Sequence, residues 1–180
     1  MDPHQIVIAR INESLPRQDA IATLKHEILG SDLHYTATGR PYLPKSYNVS
    51  ISISHSLHWI AIGVNCPYTQ PVGIDIEEKA DQASRILDRY STPNERQLLR
   101  EFNRAPIELW TAKEAVYKAY SEQLSRGINQ IEWIGGYHFR AINDSGECLF
   151  QDVHWVQRNG FVLAHTLPEN IIKLQISCTE

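Results

Sequence analysis

The run Val72-Gly73-Ile74-Asp75-Ile76-Glu77 alternates aliphatic with acidic side chains, and that alternation narrows the possible folds more than any other feature of the chain. In an extended strand successive side chains point to opposite faces. Ile74 and Ile76 therefore demand burial, while Asp75 and Glu77 share the other face about 7 Å apart. Further along, Leu109, Ala112, Val116 and Ala119 recur at helical spacing, with Lys113, Glu114, Tyr117 and Lys118 falling toward the other side. Glu114 and Lys118 are one helical turn apart. Strand and helix together offer three carboxylates from two elements, a donor set suited to a hard cation such as Mg²⁺, beside lysines that can neutralise phosphate. The same residues also fit an ordinary polar strand face and a surface ion pair.

Patterning elsewhere predicts an α+β chain. Ile6 to Ile11 reads as a strand, and Pro16 to Leu29 as a helix stopped by Gly30. A Pro/Gly-rich loop from Thr38 to Lys45 precedes Val49, Ile51 and Ile53, which alternate with Ser50, Ser52 and Ser54 as a half-buried strand. Trp59 to Val64 and Val72 to Glu77 are further strands. Helical pattern follows over 81–89, 92–102 and 106–121, with proline near the later starts. Beyond Ser121 the chain turns β-rich, with strands expected over 131–134, 137–142, 148–151, 154–157, 161–166 and 171–177, and a hairpin turn at Asn159-Gly160. No residue-level internal repeat is visible.

With 180 residues, 42% hydrophobic and 21% charged, the chain can build a substantial core. The net charge of −4 and the lack of a basic, aromatic-interleaved tract speak against nucleic-acid binding. No basic region followed by a long apolar run opens the sequence and no stretch has membrane-spanning length, so a cytoplasmic protein away from membranes is expected. Cys66, Cys148 and Cys178 are odd in number and lack CxxC spacing, as free thiols in a reducing compartment do.

Four ordered motifs between Thr38 and Lys118 carry a resemblance: Thr38-Gly39-Arg40-Pro41, Ser52-Ile53-Ser54-His55-Ser56 with Trp59, Gly73-Ile74-Asp75-Ile76-Glu77, and Trp110-Thr111-Ala112-Lys113-Glu114-Ala115-Val116-Tyr117-Lys118. In these the chain resembles the 4′-phosphopantetheinyl transferase superfamily, specifically its surfactin-synthetase-activating branch of single-chain pseudodimers. The resemblance implies two similar lobes, each a helix on a small, mostly antiparallel sheet, spanning about 1–84 and 85–180, with the active site in the cleft between them and a monomer as the pseudodimer. It implies transfer of the phosphopantetheine arm of coenzyme A to a serine of an apo acyl or peptidyl carrier protein, releasing adenosine 3′,5′-bisphosphate.

On that resemblance Asp75, Glu77 and Glu114 hold Mg²⁺, with Mn²⁺ an acceptable substitute, Glu114 also serves as base, directly or through a metal-bound water, and Lys118 stabilises the leaving phosphate. Arg40, Ser54, His55 and Lys113 are expected at coenzyme A together with Lys118. Glu95 matches a recurring family glutamate and equally a first-turn carboxylate favoured by the helix dipole. Trp110 is expected to pack between the lobes. Arg85, Arg89, Arg96, Arg100 and Arg104 are candidates for docking an acidic carrier helix, with the two one-turn pairs as stripes. The N-terminal region offers Arg10, Arg17 and Lys25 without a clear motif, and the run from Ala119 to Gly127 is longer than the usual glycine turn. Two other functions use the same residues: metal-dependent hydrolysis of a nucleotide pyrophosphate, and non-catalytic binding of coenzyme A or a carrier.

Overall fold

A computed structural model describes residues 4–11, 14–30, 33–44, 48–66, 70–158, 160–168 and 173–177. Strand β1 (His4–Arg10) leads to helix α1 (Arg17–Leu29). The short pair β2 (His34–Tyr35) and β3 (Pro41–Tyr42) follows, then β4 (Ser50–His55), β5 (Trp59–Asn65) and β6 (Ile74–Glu77). Four helices come next: α2 (Ala80–Arg85), α3 (Leu87–Tyr90), α4 (Pro93–Glu101) and α5 (Pro106–Tyr120). A 3-10 turn (Gly127–Gln130) introduces β7 (Ile131–Gly135), β8 (His138–Ile142), β9 (Cys148–Asp152), β10 (His154–Arg158), β11 (Phe161–His165) and β12 (Lys173–Ser177). The α+β expectation holds at this level. Asn159 of the expected hairpin and Cys178 lie outside the described residues.

Sheet pairing crosses between the two halves of the sequence. One sheet has the order β12-β1-β5-β4, with β12 parallel to β1, and another has the order β10-β11-β6, with β6 antiparallel to β11. The first takes a C-terminal strand beside N-terminal ones, and the second takes β6 into a C-terminal hairpin. A third sheet, β7-β8-β9, is wholly C-terminal. Helix α1 covers the first sheet through Ala20, Ile21 and Leu24 against Ile51, Ile60 and Ile62. It ends at Gly30, whose φ of 63° supplies the left-handed C-cap expected there.

The serines of β4 join the two main sheets. Val72, Ile74 and Ile76 donate their backbone N–H groups to the hydroxyls of Ser50, Ser52 and Ser54 at 3.0, 3.0 and 3.3 Å. Side-chain oxygens at every second residue of β4 thus stand in for a second strand along the edge of β6 that does not face β11. The sequence suggests that these serines are the wet face of a half-buried strand. All three are in fact buried, because the hydroxyls satisfy backbone donors that would otherwise be stranded. Ser52→Ala is expected to cost about 1–3 kcal/mol by orphaning the Ile74 N–H. Urea unfolding would measure the loss, and amide exchange at Ile74 should quicken relative to Val72.

Helix α5 lies on β6 and β11 at the centre of the molecule. A Cβ on Gly73 would sit 1.8 Å from the Ala115 carbonyl oxygen and 2.9 Å from the Ala119 nitrogen, so only glycine allows this approach. The opposite side of α5 packs into a core built on Leu109, Ala112, Val116, Trp133 and Phe139. Helix α4 is fixed by a capping box in which Thr92 accepts from Glu95 N–H and Glu95 accepts from Thr92 N–H.

Two expectations change here. The helix read over 81–89 breaks at Ile86 into α2 and α3, so Arg85 and Arg89 are not successive turns of one helix. Arg96 is tied to Asp88 and to the Ser91 carbonyl, and Arg104 stacks over Trp155 and pairs with Glu108, which leaves Arg85, Arg89 and Arg100 as the exposed members of the arginine set. Among the described residues, no helix is long and apolar enough to cross a membrane.

Candidate active site

Close packing at Gly73 brings the acidic end of β6 against the polar turn of α5. Asp75 is buried, at 3% exposure, because its Oδ1 accepts from Lys118 Nζ at 2.6 Å and from the Ser54 hydroxyl at 2.7 Å. Lys118 also donates to Ser54 Oγ at 2.9 Å, closing a triangle of hydroxyl, carboxylate and ammonium. Asp75 Oδ2 is buried with no hydrogen-bond partner among the described residues. At the end of β6, Glu77 Oε1 accepts a long bond of 3.4 Å from Trp110 Nε1, and Trp110 packs edge-on against Tyr90 at 5.0 Å.

The carboxylates feel one another. Burial, followed by repulsion from Asp75, raises Glu77 to a pKa of about 7, with Glu114 adding to the rise and the Trp110 bond and Lys118 opposing it. Glu114 is raised for the same two leading reasons, and Lys118 partly offsets them. Lys118 pairs directly with Asp75 alone and acts on Glu77 and Glu114 only at longer range. Among the described residues, no group of three or more His, Cys, Asp or Glu side chains is gathered to hold a metal ion. The chemistry of the set nevertheless fits a hard divalent cation: all the donors are oxygens, one is orphaned, and their mutual repulsion would be relieved by positive charge.

A basic lane adjoins this cluster. Arg17, in the first turn of α1, donates to the Ser56 carbonyl and to the Leu57 carbonyl at 2.6 Å, and its Nη2 lies 3.4 Å from His55 Nδ1. Burial, then the charges of Arg17, Lys25 and Lys118, hold His55 below its ordinary value, so the ring is a neutral partner among cations. Lys25 donates to the Tyr35 hydroxyl at 2.9 Å across a cavity of about 480 Å³ lined by Ile21, Lys25, Tyr35 and His55. The turn carrying His55 is clamped from its other side by Glu78. This carboxylate accepts from His58 N–H at 2.8 Å and meets His58 Nδ1 at 2.7 Å.

Of the residues singled out in the sequence, the structure brings Ser54, Asp75, Glu77, Glu114 and Lys118 together, with His55 on the next residue of β4. Arg40 stands apart: it reaches Ser50 Oγ at 3.3 Å, four residues or about 13 Å along β4 from Ser54. Lys113 is only 2% exposed, and its ammonium pairs with Glu95 at 2.8 Å and donates to the Tyr90 carbonyl at 2.7 Å, so it is held in a buried pair. Glu95 is fully buried and also accepts from Trp133 N–H at 2.8 Å, which gives it a structural position as well. Arg17 and Lys25 had no local signal because they come from a helix 38 residues before His55 in the case of Arg17.

This arrangement, acidic strand end against Glu114 and Lys118 of one helix, sits inside the span matched by a family model. Residues 71–163 match the 4′-phosphopantetheinyl transferase superfamily, and the chain belongs to that superfamily. Among curated proteins it is similar to the 4′-phosphopantetheinyl transferase ffp of Bacillus subtilis, at 27% identity over 113 residues, covering 59% of this chain and 49% of that protein. A second Bacillus subtilis 4′-phosphopantetheinyl transferase is 32% identical over 92 residues, covering 48% of this chain and 40% of the relative. The matched regions thus span half or less of each relative's length.

Proposed function

We propose that this chain transfers 4′-phosphopantetheine from coenzyme A to a serine of an apo carrier protein, in the manner of the surfactin-synthetase-activating branch. The observation that carries the reading is the placing of Asp75, Glu77, Glu114 and Lys118, all within the residues 71–163 matched by the superfamily model, at the head of a basic lane. Residues 1–84 and 85–180 would supply most of the two lobes, which exchange β6 and β12 across the boundary, with the site at their meeting, and the protein would act as a monomer in the cytoplasm.

Coenzyme A would lie with its nucleotide end along Arg17, Lys25 and His55, with Arg40 available at the far end of β4, and its pyrophosphate at Lys118. Glu114, its carboxyl raised by burial and by Asp75, takes the proton of the carrier serine as the serine oxygen bonds to the β-phosphorus. The bond from that phosphorus to the bridging oxygen breaks, and Lys118 stabilises the charge left on adenosine 3′,5′-bisphosphate. Ser54 holds Asp75 and Lys118 in register. When bound, Mg²⁺ held by Asp75, Glu77 and Glu114 supplies charge neutralisation for the pyrophosphate. Exposed Arg85, Arg89 and Arg100 are available to an acidic carrier surface.

Product identity tests the reading. Adenosine 3′,5′-bisphosphate should appear from coenzyme A and Mg²⁺ only when an apo carrier is present. Its release without a carrier would make the protein a hydrolase, and binding with neither product would make it a binding module. Within the lane, Arg17→Gln should weaken coenzyme A binding about tenfold by calorimetry, less at high salt. His55, followed by NMR, should titrate higher in the complex than in the free protein, because bound phosphate favours the imidazolium. An unchanged affinity and an unchanged His55 titration would remove this lane from the coenzyme A path.

A further inference from the structure

A second cavity, of about 330 Å³, opens on the side of the molecule where Lys113 lies, and its lining includes Arg89, Lys113, Arg126, Asn129, Glu132 and Arg140. That volume falls within the rough range of 300–1,000 Å³ typical of small-ligand pockets. Four cations and one carboxylate border it, and the cations come from four elements: α3, α5, the loop before the 3-10 turn, and β8.

The charges inside the protein do not account for this convergence. Lys113 is neutralised by Glu95 behind it, and Arg140 is paired with Glu132 through one nitrogen. The Arg89 side chain makes no hydrogen bond or ion pair among the described residues, its backbone N–H alone being bonded, to the Ile86 carbonyl at 2.9 Å. Arg126 makes none through its side chain, although its charge acts at longer range on Asp144. Asp144 itself is occupied by the Ser125 hydroxyl at 2.8 Å, by the Ser125 backbone and by Gln130 Nε2 at 3.1 Å. The rim is held in place before any ligand arrives: Gln130 accepts from Arg126 N–H at 2.6 Å and donates to the Ile142 carbonyl at 2.8 Å. Two unpaired guanidinium groups facing a preformed cavity, with a third fork only partly used and the Asn129 amide beside them, form a donor set for a planar or tetrahedral oxyanion.

We infer that this cavity is an anion-binding site for a phosphate group, inorganic or carried as a small monoester, separate from the carboxylate cluster and gripped chiefly by Arg89 and Arg126. The inference does not depend on the transferase reading. Because Lys113 forms part of the lining and Glu114 is the next residue of α5, an occupant would sit one residue from the proposed base.

The full chain should be titrated with inorganic phosphate, and in a parallel arm with glycerol 1-phosphate, while the Asn129 side-chain amide is followed by NMR. A saturable shift is expected, weakened about fivefold by Arg89→Gln or Arg126→Gln and unaffected by Arg17→Gln, which separates it from the nucleotide lane. Tighter binding of one ligand than the other identifies whether the phosphate is free or esterified. Both arginines are exposed, so the variants should keep the parent's thermal midpoint. Absence of a saturable shift up to tens of millimolar of either ligand, or a shift that persists unchanged in the folded Arg89→Gln/Arg126→Gln double variant, would overturn the site.

Discussion

Gly73→Ala is expected to cost about 3 kcal/mol or more, which for a chain of this size lowers the thermal midpoint by roughly 6–12 °C, if folded protein is recovered at all. The added methyl would meet the Ala115 carbonyl oxygen at 1.8 Å, and both partners in that clash are backbone. Relief would require α5 to move off β6, which would also part Lys118 from Asp75. Gly63→Ala is the matched control. It too lies in a buried strand, but its new Cβ would meet side-chain carbons of Val72 and Ile74 at 3.4–3.6 Å, and less than about 1 kcal/mol of change is expected. Thermal unfolding of the two variants side by side separates the loss of one close approach from a general intolerance of added volume.

The Glu95–Lys113 pair carries the second large effect. With the two side chains 0% and 2% exposed, removing either partner strands the other charge, so Lys113→Met and Glu95→Gln should each destabilise by about 3–5 kcal/mol. The double variant should lose less than the sum, because the stranded charge is the main cost. Urea unfolding of the four-member cycle measures this. Additive losses would show that the pair does not lock α4, α5 and β7 together.

Local chemistry made much of this molecule readable. The period-two run ending at Glu77 and the helical spacing from Leu109 to Ala119 placed Asp75, Glu77, Glu114 and Lys118, and Gly30 marked the end of α1. What escaped was non-local. Nothing near Ser50, Ser52 and Ser54 shows that their hydroxyls receive the N–H groups of a strand 22 residues on, so alternation alone indicates only a half-buried strand. Lys113 stands next to Glu114 and carries a charge, and its burial follows only from a glutamate 18 residues earlier that happens to cap another helix. The pairing of β12 with β1 and of β6 with β11 joins distant segments, and strand partners of that kind leave no mark in a hydropathy pattern.

The most direct test of the carboxylate and lysine cluster as a transfer site is the intact mass of an apo acyl or peptidyl carrier protein after incubation with this chain, coenzyme A and Mg²⁺. Asp75→Ala and Glu114→Ala proteins serve as controls, each shown to be folded. A gain of one phosphopantetheine with the parent chain and none with either variant is the expected result. An unmodified carrier with folded parent protein that still binds coenzyme A, or a modified carrier with both variants, would contradict it.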